Sequence, residues 1–215
     1  MTPPSTDPSF RTIAELIREH AAARPRHTAL AQGAQRLAYA ELDALMDRVA
    51  AALQRDGMRQ GDAIAICAHS APAYAAVFLG ALRAGVAVAP LAPSVTPEQF
   101  AAMLRDSQAR VLFADDAAAP LRGGAALRTV ALNATLEAQG LDDWLAPPGA
   151  RPAPVDIEPQ LPFNIIYSSG TTGTPKGIVQ PHGMRWTHVQ RGAAYGYGPE
   201  SVTLLAKPLY SNTTL

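Results

Sequence analysis

The run Ala63–Cys67 is apolar at every position, and this pattern constrains the fold more than any other segment of the chain. A strand that is covered on both faces has such a pattern, because neither face meets water. Further short apolar runs alternate with amphipathic segments, which predicts an α/β fold on a parallel sheet with right-handed crossovers. The predicted strands are residues 63–67, 86–89, 111–114 and 128–131, and the predicted helices are residues 12–22, 39–55, 72–82 and one that Thr96 caps.

The second half of the chain opens with a proline-rich stretch, residues 146–162, which is typical of a linker or a long surface excursion. After it, the sequence predicts a buried strand from residue 163, a helix at about 183–194 and a last strand at 202–206. The predicted organisation has a disordered N-terminus, a first α/β subdomain, the proline-rich linker, and an incomplete start of the next part of the fold. These parts are residues 1–9, 10–145, 146–162 and 163–215.

The charge balance excludes several classes of partner. The 215 residues include 18 Lys and Arg against 18 Asp and Glu, so the chain has no electrostatic footprint for nucleic acid or an anionic membrane.

The single cysteine, Cys67, rules out an internal disulfide, and its apolar neighbours predict a buried structural thiol. No secretory signal is recognised, and the longest apolar region, 71–91, is interrupted by Arg83 and by glycines. We expect a cytoplasmic protein without a transmembrane segment.

A segment rich in glycine and hydroxyl groups, Tyr167 to Gly177, follows the apolar run that begins at residue 163. Glycines let backbone N–H groups approach an anion, hydroxyls donate hydrogen bonds, and a lysine adds a point charge, so the segment predicts a phosphate-binding loop. It is not a Walker loop, because Pro175 stands at the closing glycine and the lysine is followed by Gly177 instead of a hydroxyl. A solvated linker is the weaker alternative, since a linker needs no preceding strand.

Ser168 to Gly177 (Ser-Ser-Gly-Thr-Thr-Gly-Thr-Pro-Lys-Gly) resembles the phosphate-loop signature of the acyl-adenylate-forming superfamily. That superfamily includes acyl-CoA synthetases, adenylation domains of peptide synthetases and firefly luciferase. The segments 61–66, 84–91 and 178–182 are similar to the family's patterns, in the same order. Segment 207–212 resembles the Pro-Leu-aromatic element that borders the carboxylate pocket, although Ser211 stands where the family often has histidine.

The resemblance implies that a carboxylate attacks the α-phosphate of ATP, releasing pyrophosphate, and that the acyl-adenylate then passes to a thiol, usually that of coenzyme A. It implies ATP and Mg²⁺ as cofactors, coenzyme A as co-substrate and a small carboxylic acid as substrate. Lys176 and Thr171 are the implied catalytic residues, and Tyr210 and Ser211 are candidates for substrate contact. The implied phosphate-binding residues are Ser168, Ser169, Gly170, Thr171, Thr172, Gly173, Thr174, Lys176 and Gly177.

Two further features are not assigned to a site. Residues 196–200 resemble the family's later Tyr-Gly-x-Thr-Glu element but come too soon after the loop and lack its threonine, so we interpret them as a turn. His182 opens the helix after the loop, where a capping role is favoured over substrate contact. No metal ligand is predicted, because the remaining histidines have no partners at metal-ligand spacing: His20, His27, His69 and His188.

Family members are more than twice as long, so the resemblance implies a truncated N-terminal portion of the acyl-adenylate-forming fold. The expected function is that of the N-terminal portion of an ATP-dependent acyl-CoA synthetase, a ligase, and the chain by itself is expected to be inactive. Two alternatives stay open, namely part of a peptide-synthetase adenylation domain and a non-catalytic nucleotide-binding fragment. The sequence leaves open which carboxylic acid is used, whether the acceptor is coenzyme A or a carrier protein, and the oligomeric state.

Overall fold

The computed structural model describes residues 10–121, 127–168 and 176–211. The helices are α1 (Ile13–Ala23), α2 (Tyr39–Arg55), α3 (Pro72–Arg83), α4 (Pro97–Asp106), α5 (Leu141–Trp144) and α6 (His182–Gly192). The strands are β1 (Thr28–Gln32), β2 (Gln35–Ala38), β3 (Ala63–Cys67), β4 (Ala87–Pro90), β5 (Ala109–Ala114), β6 (Thr129–Ala131), β7 (Gln139–Gly140), β8 (Pro162–Ser168) and β9 (Lys176–Pro181). Short 3-10 helices occupy Asp116–Leu121 and Ala193–Tyr195.

The main sheet has the strand order β7-β6-β5-β3-β4-β8-β9. Every neighbouring pair runs parallel except β8 and β9, which are antiparallel. Helices pack on both faces, so β3 is buried along its whole length, as its apolar sequence predicts. The α/β fold with a parallel-dominated sheet is therefore confirmed.

Alternate residues of β3 face opposite sides of the sheet. Ile64 and Ile66 join a core that also contains buried residues of α2 and α3, whereas Ala65 and Cys67 join a core with residues of α4. This alternation is the period of two of a β-strand. The predicted buried, structural Cys67 is confirmed, because its thiol is fully buried and burial raises its pKa to about 12.

Local signals in the sequence start two helices where we predicted them. Thr12 accepts a hydrogen bond from the backbone of Glu15 at 3.1 Å, and the carboxylate of Glu15 accepts one from the backbone of Thr12 at 2.7 Å. Thr96 and Gln99 form the same reciprocal pair at the start of α4. Such caps satisfy backbone donors that have no partner in the first helical turn, and each stabilises its helix by about 1 kcal/mol.

A buried ion-pair network ties α2 to α3. The guanidinium of Arg83 contacts the carboxylates of Asp43 and Asp47, and Arg18 on α1 also pairs with Asp47. Arg151, in the proline-rich stretch, adds a further contact with Asp47 at 3.0 Å. The network therefore joins three helices and the proline-rich stretch.

The proline-rich stretch has no regular structure between α5 and β8, and α2 holds it to the surface. Gln54 exchanges two hydrogen bonds with the backbone of Ala153, at 2.9 and 2.7 Å, and Arg48 donates to the Ala146 carbonyl oxygen. Beyond it, β8 joins the same sheet, with Asn164 paired to Val88. The boundaries of the four predicted parts stay a prediction, and residues 1–9 lie outside the described residues.

The predicted strand at 202–206 is wrong. This segment has no regular secondary structure, and Val202 and Leu204 are 95% and 87% exposed. A strand needs a partner for its backbone groups, and none of the described strands pairs with it.

The predicted helix after the loop is confirmed as α6, and the predicted turn closes with a hydrogen bond from the Ser201 amide to the Gly198 carbonyl oxygen. Within the described ranges, no helix has both the length and the apolar character needed to cross a bilayer.

Candidate functional site

The glycine-rich segment connects the two strands of an antiparallel hairpin. Tyr167 pairs with Gly177, and Ser168 pairs with Lys176, so the loop leaves β8 and enters β9 at directly opposed residues. Six of the candidates lie outside the described residues, namely Ser169, Gly170, Thr171, Thr172, Gly173 and Thr174. Of the loop candidates, the structure therefore locates Ser168 as the last residue of β8, Lys176 as the exposed first residue of β9, and Gly177 after it.

The loop end of the hairpin lies at the carboxyl ends of the parallel strands. β8 runs parallel to β4, and β4 runs parallel to β3, so their carboxyl ends share one edge. Open α/β sheets bind their ligands in the crevice at this edge. The loop therefore leaves β8 where a ligand site is expected on physical grounds.

The second candidate region reaches the same edge. The backbone N–H of Leu209 donates to Ser70 Oγ at 3.0 Å, and Ser70 lies three residues beyond Cys67, the carboxyl end of β3. The next two residues, Tyr210 and Ser211, are partly buried. Both regions that the sequence singled out are thus brought to one side of the sheet.

A contact with α4 holds the end of the hairpin from which the loop leaves. The hydroxyl of Tyr167 lies 2.7 Å from Asp106 Oδ2 and 3.1 Å from the carbonyl oxygen of Met103. Burial and the adjacent carboxylate of Asp106 both raise the pKa of Tyr167, because each disfavours the phenolate. The phenol therefore keeps its proton and donates a hydrogen bond to Asp106.

The same groups obstruct the direction in which a side chain of Gly177 would project, although the residue itself is exposed. A methyl group at its α-carbon would lie 2.8 Å from Asp106 Oδ2, 3.1 Å from Ile165 Cγ2 and 3.2 Å from Tyr167 Cε1. A real Cβ atom almost never comes within 3.0 Å of a carboxylate oxygen. The last glycine of the signature is thus needed for close packing, a reason that the sequence could not supply.

The other face of the hairpin rests on buried polar groups of α6. His182 is the first residue of the helix and is buried. Its backbone N–H donates to the carbonyl oxygen of Leu161, and its ring packs edge-on against Phe163, with 5.1 Å between the ring centroids. Burial lowers the pKa of His182 to about 4. The side chain of Arg185 donates to Gln180 and Asn164 and lies over the ring of Phe163. These contacts place His182 and Arg185 at the end of the hairpin opposite the loop, where they pack the hairpin against α6.

Sequence spacing did not reveal a cluster that follows β3 and β5. His69 Nδ1 lies 2.9 Å from Asp115 Oδ2, and one ligand atom each of His69, Asp115 and Asp116 lies within 4.8 Å of the others. Asp115 also accepts the backbone N–H groups of His69 and Ala117. The carboxylate of Asp115 therefore accepts hydrogen bonds from the turns that follow the two strands. The cluster is explained by these contacts, which hold the two turns together.

Comparison with curated proteins finds relatives among synthetases. Bacitracin synthase 1 of Bacillus licheniformis is 34% identical over 175 residues, which cover 81% of this chain and 3% of that protein. The fatty acid–[acyl-carrier-protein] ligase ScoC of Streptomyces coeruleorubidus is 29% identical over 182 residues, which cover 81% of this chain and 34% of that protein. The chain thus spans at most about a third of the length of these two relatives.

Solved structures share the fold over nearly the whole chain. A protein of Rhodopseudomonas palustris CGA009, assigned as a long-chain-fatty-acid CoA ligase, superposes with a TM-score of 0.83 at 21% identity over 94% of this chain and 52% of that one. The AMP complex of O-succinylbenzoate coenzyme A synthetase from Bacillus subtilis gives 0.75 at 22% identity, over 93% and 50%. VinN with bound L-aspartate gives 0.77 at 26% identity, over 89% and 49%.

The family model described as AMP-binding enzyme matches residues 17–215, which include both strands of the hairpin and the segment that reaches Ser70. This match covers far more than half of the chain, and the sheet agrees with that of solved ligases. The chain belongs to the family of AMP-binding, adenylate-forming enzymes.

Proposed function

We propose that this chain is the N-terminal portion of an ATP-dependent acyl-CoA synthetase. Such an enzyme joins a carboxylic acid to AMP with release of pyrophosphate and then transfers the acyl group to coenzyme A. The observation that carries the proposal is the hairpin, whose signature loop leaves and re-enters the sheet at the paired residues Ser168 and Lys176. The solved structures of which this chain spans about half include coenzyme A synthetases, which supports the assignment.

In the proposed reaction, charge accumulates on the phosphate oxygens as the carboxylate attacks. Fixed hydrogen-bond donors and a cation at those oxygens lower the barrier, because they are already oriented when the charge develops. We assign the hydroxyls of the loop to the β- and γ-phosphates and Lys176 to the departing pyrophosphate. The proposed hydroxyl donors are Ser168, Ser169, Thr171, Thr172 and Thr174. Gly170 and Gly173 are assigned to the shape of the loop.

The proposal includes a magnesium ion bound with ATP. The signature offers hydroxyl oxygens but no carboxylate, and the nearby carboxylate of Asp106 is occupied by Tyr167. Magnesium keeps several waters and accepts phosphate oxygens readily, so these residues fit an ion that arrives with the nucleotide. When bound, such an ion would neutralise phosphate charge.

The carboxylic acid is proposed to bind beside Tyr210 and Ser211. These two residues follow the Leu209 contact with Ser70, at the edge of the sheet from which the loop also leaves. The related proteins support a small carboxylate, since VinN binds L-aspartate. A cytoplasmic location belongs to the same proposal, since coenzyme A and ATP are metabolites of that compartment.

A peptide-synthetase adenylation domain is the second candidate, because bacitracin synthase 1 shares 34% identity with this chain. The two candidates differ in the acceptor of the acyl group. Carboxylate-dependent exchange of labelled pyrophosphate into ATP, measured on the full-length protein, tests the adenylation step that both share. Thioester formation with free coenzyme A then supports the synthetase, whereas transfer only to a carrier domain supports the alternative.

The 215-residue chain by itself is expected to give no exchange. Robust exchange would contradict this expectation and would reject a non-catalytic fragment. In the full-length protein, Lys176→Ala should slow exchange by about 10²-fold or more, because a charge-stabilising donor is lost. Arg191→Ala is the matched control, since Arg191 is an exposed cation in the last turn of α6. Unchanged exchange in Lys176→Ala would remove the assignment of that lysine.

A further inference from the structure

One carboxylate contacts both ends of the signature loop. Asp106 Oδ2 accepts a hydrogen bond from the hydroxyl of Tyr167, which precedes the loop, and lies 2.8 Å from the position that a Cβ atom on Gly177, after the loop, would occupy. Tyr167 and Gly177 are themselves paired across the hairpin. A single side chain on α4 thus hydrogen-bonds to β8 and lies beside β9 at the point where the loop begins and ends.

Asp106 is held on a rigid element. α4 begins with the capping pair of Thr96 and Gln99 and is anchored in the core by Phe100 and Met103, which are 0% and 3% exposed. The helix ends at Asp106 itself, and β5 begins only three residues later at Ala109. The backbone of Asp106 is therefore held between a packed helix and a central strand, while its side chain is exposed to solvent.

The chain closes this turn with further fixed contacts. Ser107 Oγ donates to the carbonyl oxygen of Leu104 at 3.1 Å, and Ser107 is buried. Gln108 adopts a φ of 52°, in the left-handed region that a non-glycine residue seldom occupies. The backbone around Asp106 is therefore held in a defined, costly conformation by its surroundings.

We infer that Asp106 and Tyr167 are positioning residues for the phosphate loop, and this inference rests on the proposed function. Their hydrogen bond fixes the end of the hairpin from which the loop leaves. The loop therefore starts and ends at set positions before ATP arrives. Ordering a free loop on binding costs roughly 1–2 kcal/mol for each residue that becomes fixed, and a loop anchored at both ends has less freedom left to lose. Gly177 leaves the space that this contact needs.

The test compares Tyr167→Phe with its matched control Tyr195→Phe. The first variant loses only the hydroxyl that reaches Asp106, and Tyr195 is a tyrosine that is 77% exposed beyond α6. In pyrophosphate exchange by the full-length protein, Tyr167→Phe should lower kcat/KM for ATP by about 10- to 100-fold, as expected for a small misplacement of phosphate-binding groups. KM for the carboxylic acid should stay within about twofold, and Tyr195→Phe should match the wild type.

A second variant separates positioning from the loss of packing. Asp106→Asn keeps an acceptor oxygen for Tyr167 and should retain most of the activity, whereas Asp106→Ala should resemble Tyr167→Phe. The double variant Tyr167→Phe/Asp106→Ala should be no slower than either single variant, because both remove the same contact. Fully additive losses would overturn the inference.

Hydrogen–deuterium exchange of the full-length protein gives a measurement that does not need catalysis. Tyr167→Phe should raise exchange about tenfold or more in peptides that cover residues 168–177 and leave β3 peptides unchanged. Equal exchange in the loop peptides, or a uniform rise throughout the sheet, would overturn the inference in favour of no role or a general loss of stability. If the wild-type full-length protein forms no acyl-adenylate, the proposed function fails, and this exchange measurement still decides whether the two residues position the loop.

Discussion

Arg83 Nη1 lies 2.8 Å from Asp47 Oδ1, and both side chains are buried. Removing one partner of a buried pair leaves the other charge without compensation, which typically costs about 3–5 kcal/mol. Because Arg18 also contacts Asp47, we expect Arg83→Met to lower the free energy of unfolding by about 3 kcal/mol, the lower end of that range. Urea unfolding measures this. Arg151→Met is the control, since Arg151 also contacts Asp47 but is 74% exposed, and a change below about 1 kcal/mol is expected.

His182 predicts a dependence of stability on pH. Its folded pKa, about 4, lies below its ordinary value of 6.5, because the ring is buried. Between these values the unfolded chain takes up a proton that the folded protein does not, so stability falls as the pH drops from 6.5 to 4 and is unaffected by this group above 6.5. The loss should be on the order of 3 kcal/mol.

Unfolding free energies measured from pH 7.5 to 4 test the His182 prediction. The variant His182→Phe should lose most of the dependence in this window, because phenylalanine takes no proton. His188→Phe, at an exposed position of α6, should keep the wild-type slope. A wild-type slope in His182→Phe would contradict the prediction.

Gly177 is expected to resist the smallest substitution. The methyl group of Gly177→Ala would meet Asp106, Ile165 and Tyr167 at 2.8 to 3.2 Å, so the variant should be destabilised by about 1–3 kcal/mol. Gly198→Ala is the control, since nothing lies within 4 Å of its methyl position. Thermal unfolding of both variants measures the difference, and equal melting temperatures would show that the hairpin adapts.

Cys67 should be unreactive while the protein is folded. Its thiol is fully buried and its pKa is raised to about 12, so almost no thiolate is present at pH 8. Ellman's reagent should label the native chain at least 10²-fold more slowly than the chain in 6 M guanidinium chloride, because labelling then requires unfolding. As Cys67 is the single cysteine, the signal has one source. Rapid labelling of the native protein would show that this core opens readily.

Much of the fold could be predicted because its signals are local. Thr12 with Glu15 and Thr96 with Gln99 mark helix starts within four residues, and the apolar run at Ala63–Cys67 needs no distant information. The hairpin of β1 and β2 was not predicted, since its strands are short and largely exposed, without a buried stripe. The strand predicted at 202–206 had an apolar sequence but has no partner among the described strands.

The candidate site divides in the same way. The signature from Ser168 to Gly177 is contiguous, so the sequence alone indicated the segment between β8 and β9 and predicted the helix that follows. Asp106 could not be found, because nothing near it in sequence indicates that its carboxylate contacts Tyr167, which is 61 residues away in the chain. The reason for glycine at position 177 depends on the same distant contact. Contacts that connect separate elements require the three-dimensional arrangement.

In sequence, the proline-rich stretch separates β8 and β9 from the other strands of the sheet, and this has a consequence for the order of folding. β4 pairs with β3 through residues close in sequence, but its other neighbour, β8, is made only after the long stretch from Ala146 to Leu161 has left the ribosome. Non-local strand pairing is slow and leaves a neighbouring edge open to other chains in the meantime. One edge of β4 therefore stays unpaired in the nascent protein during the interval before the hairpin docks.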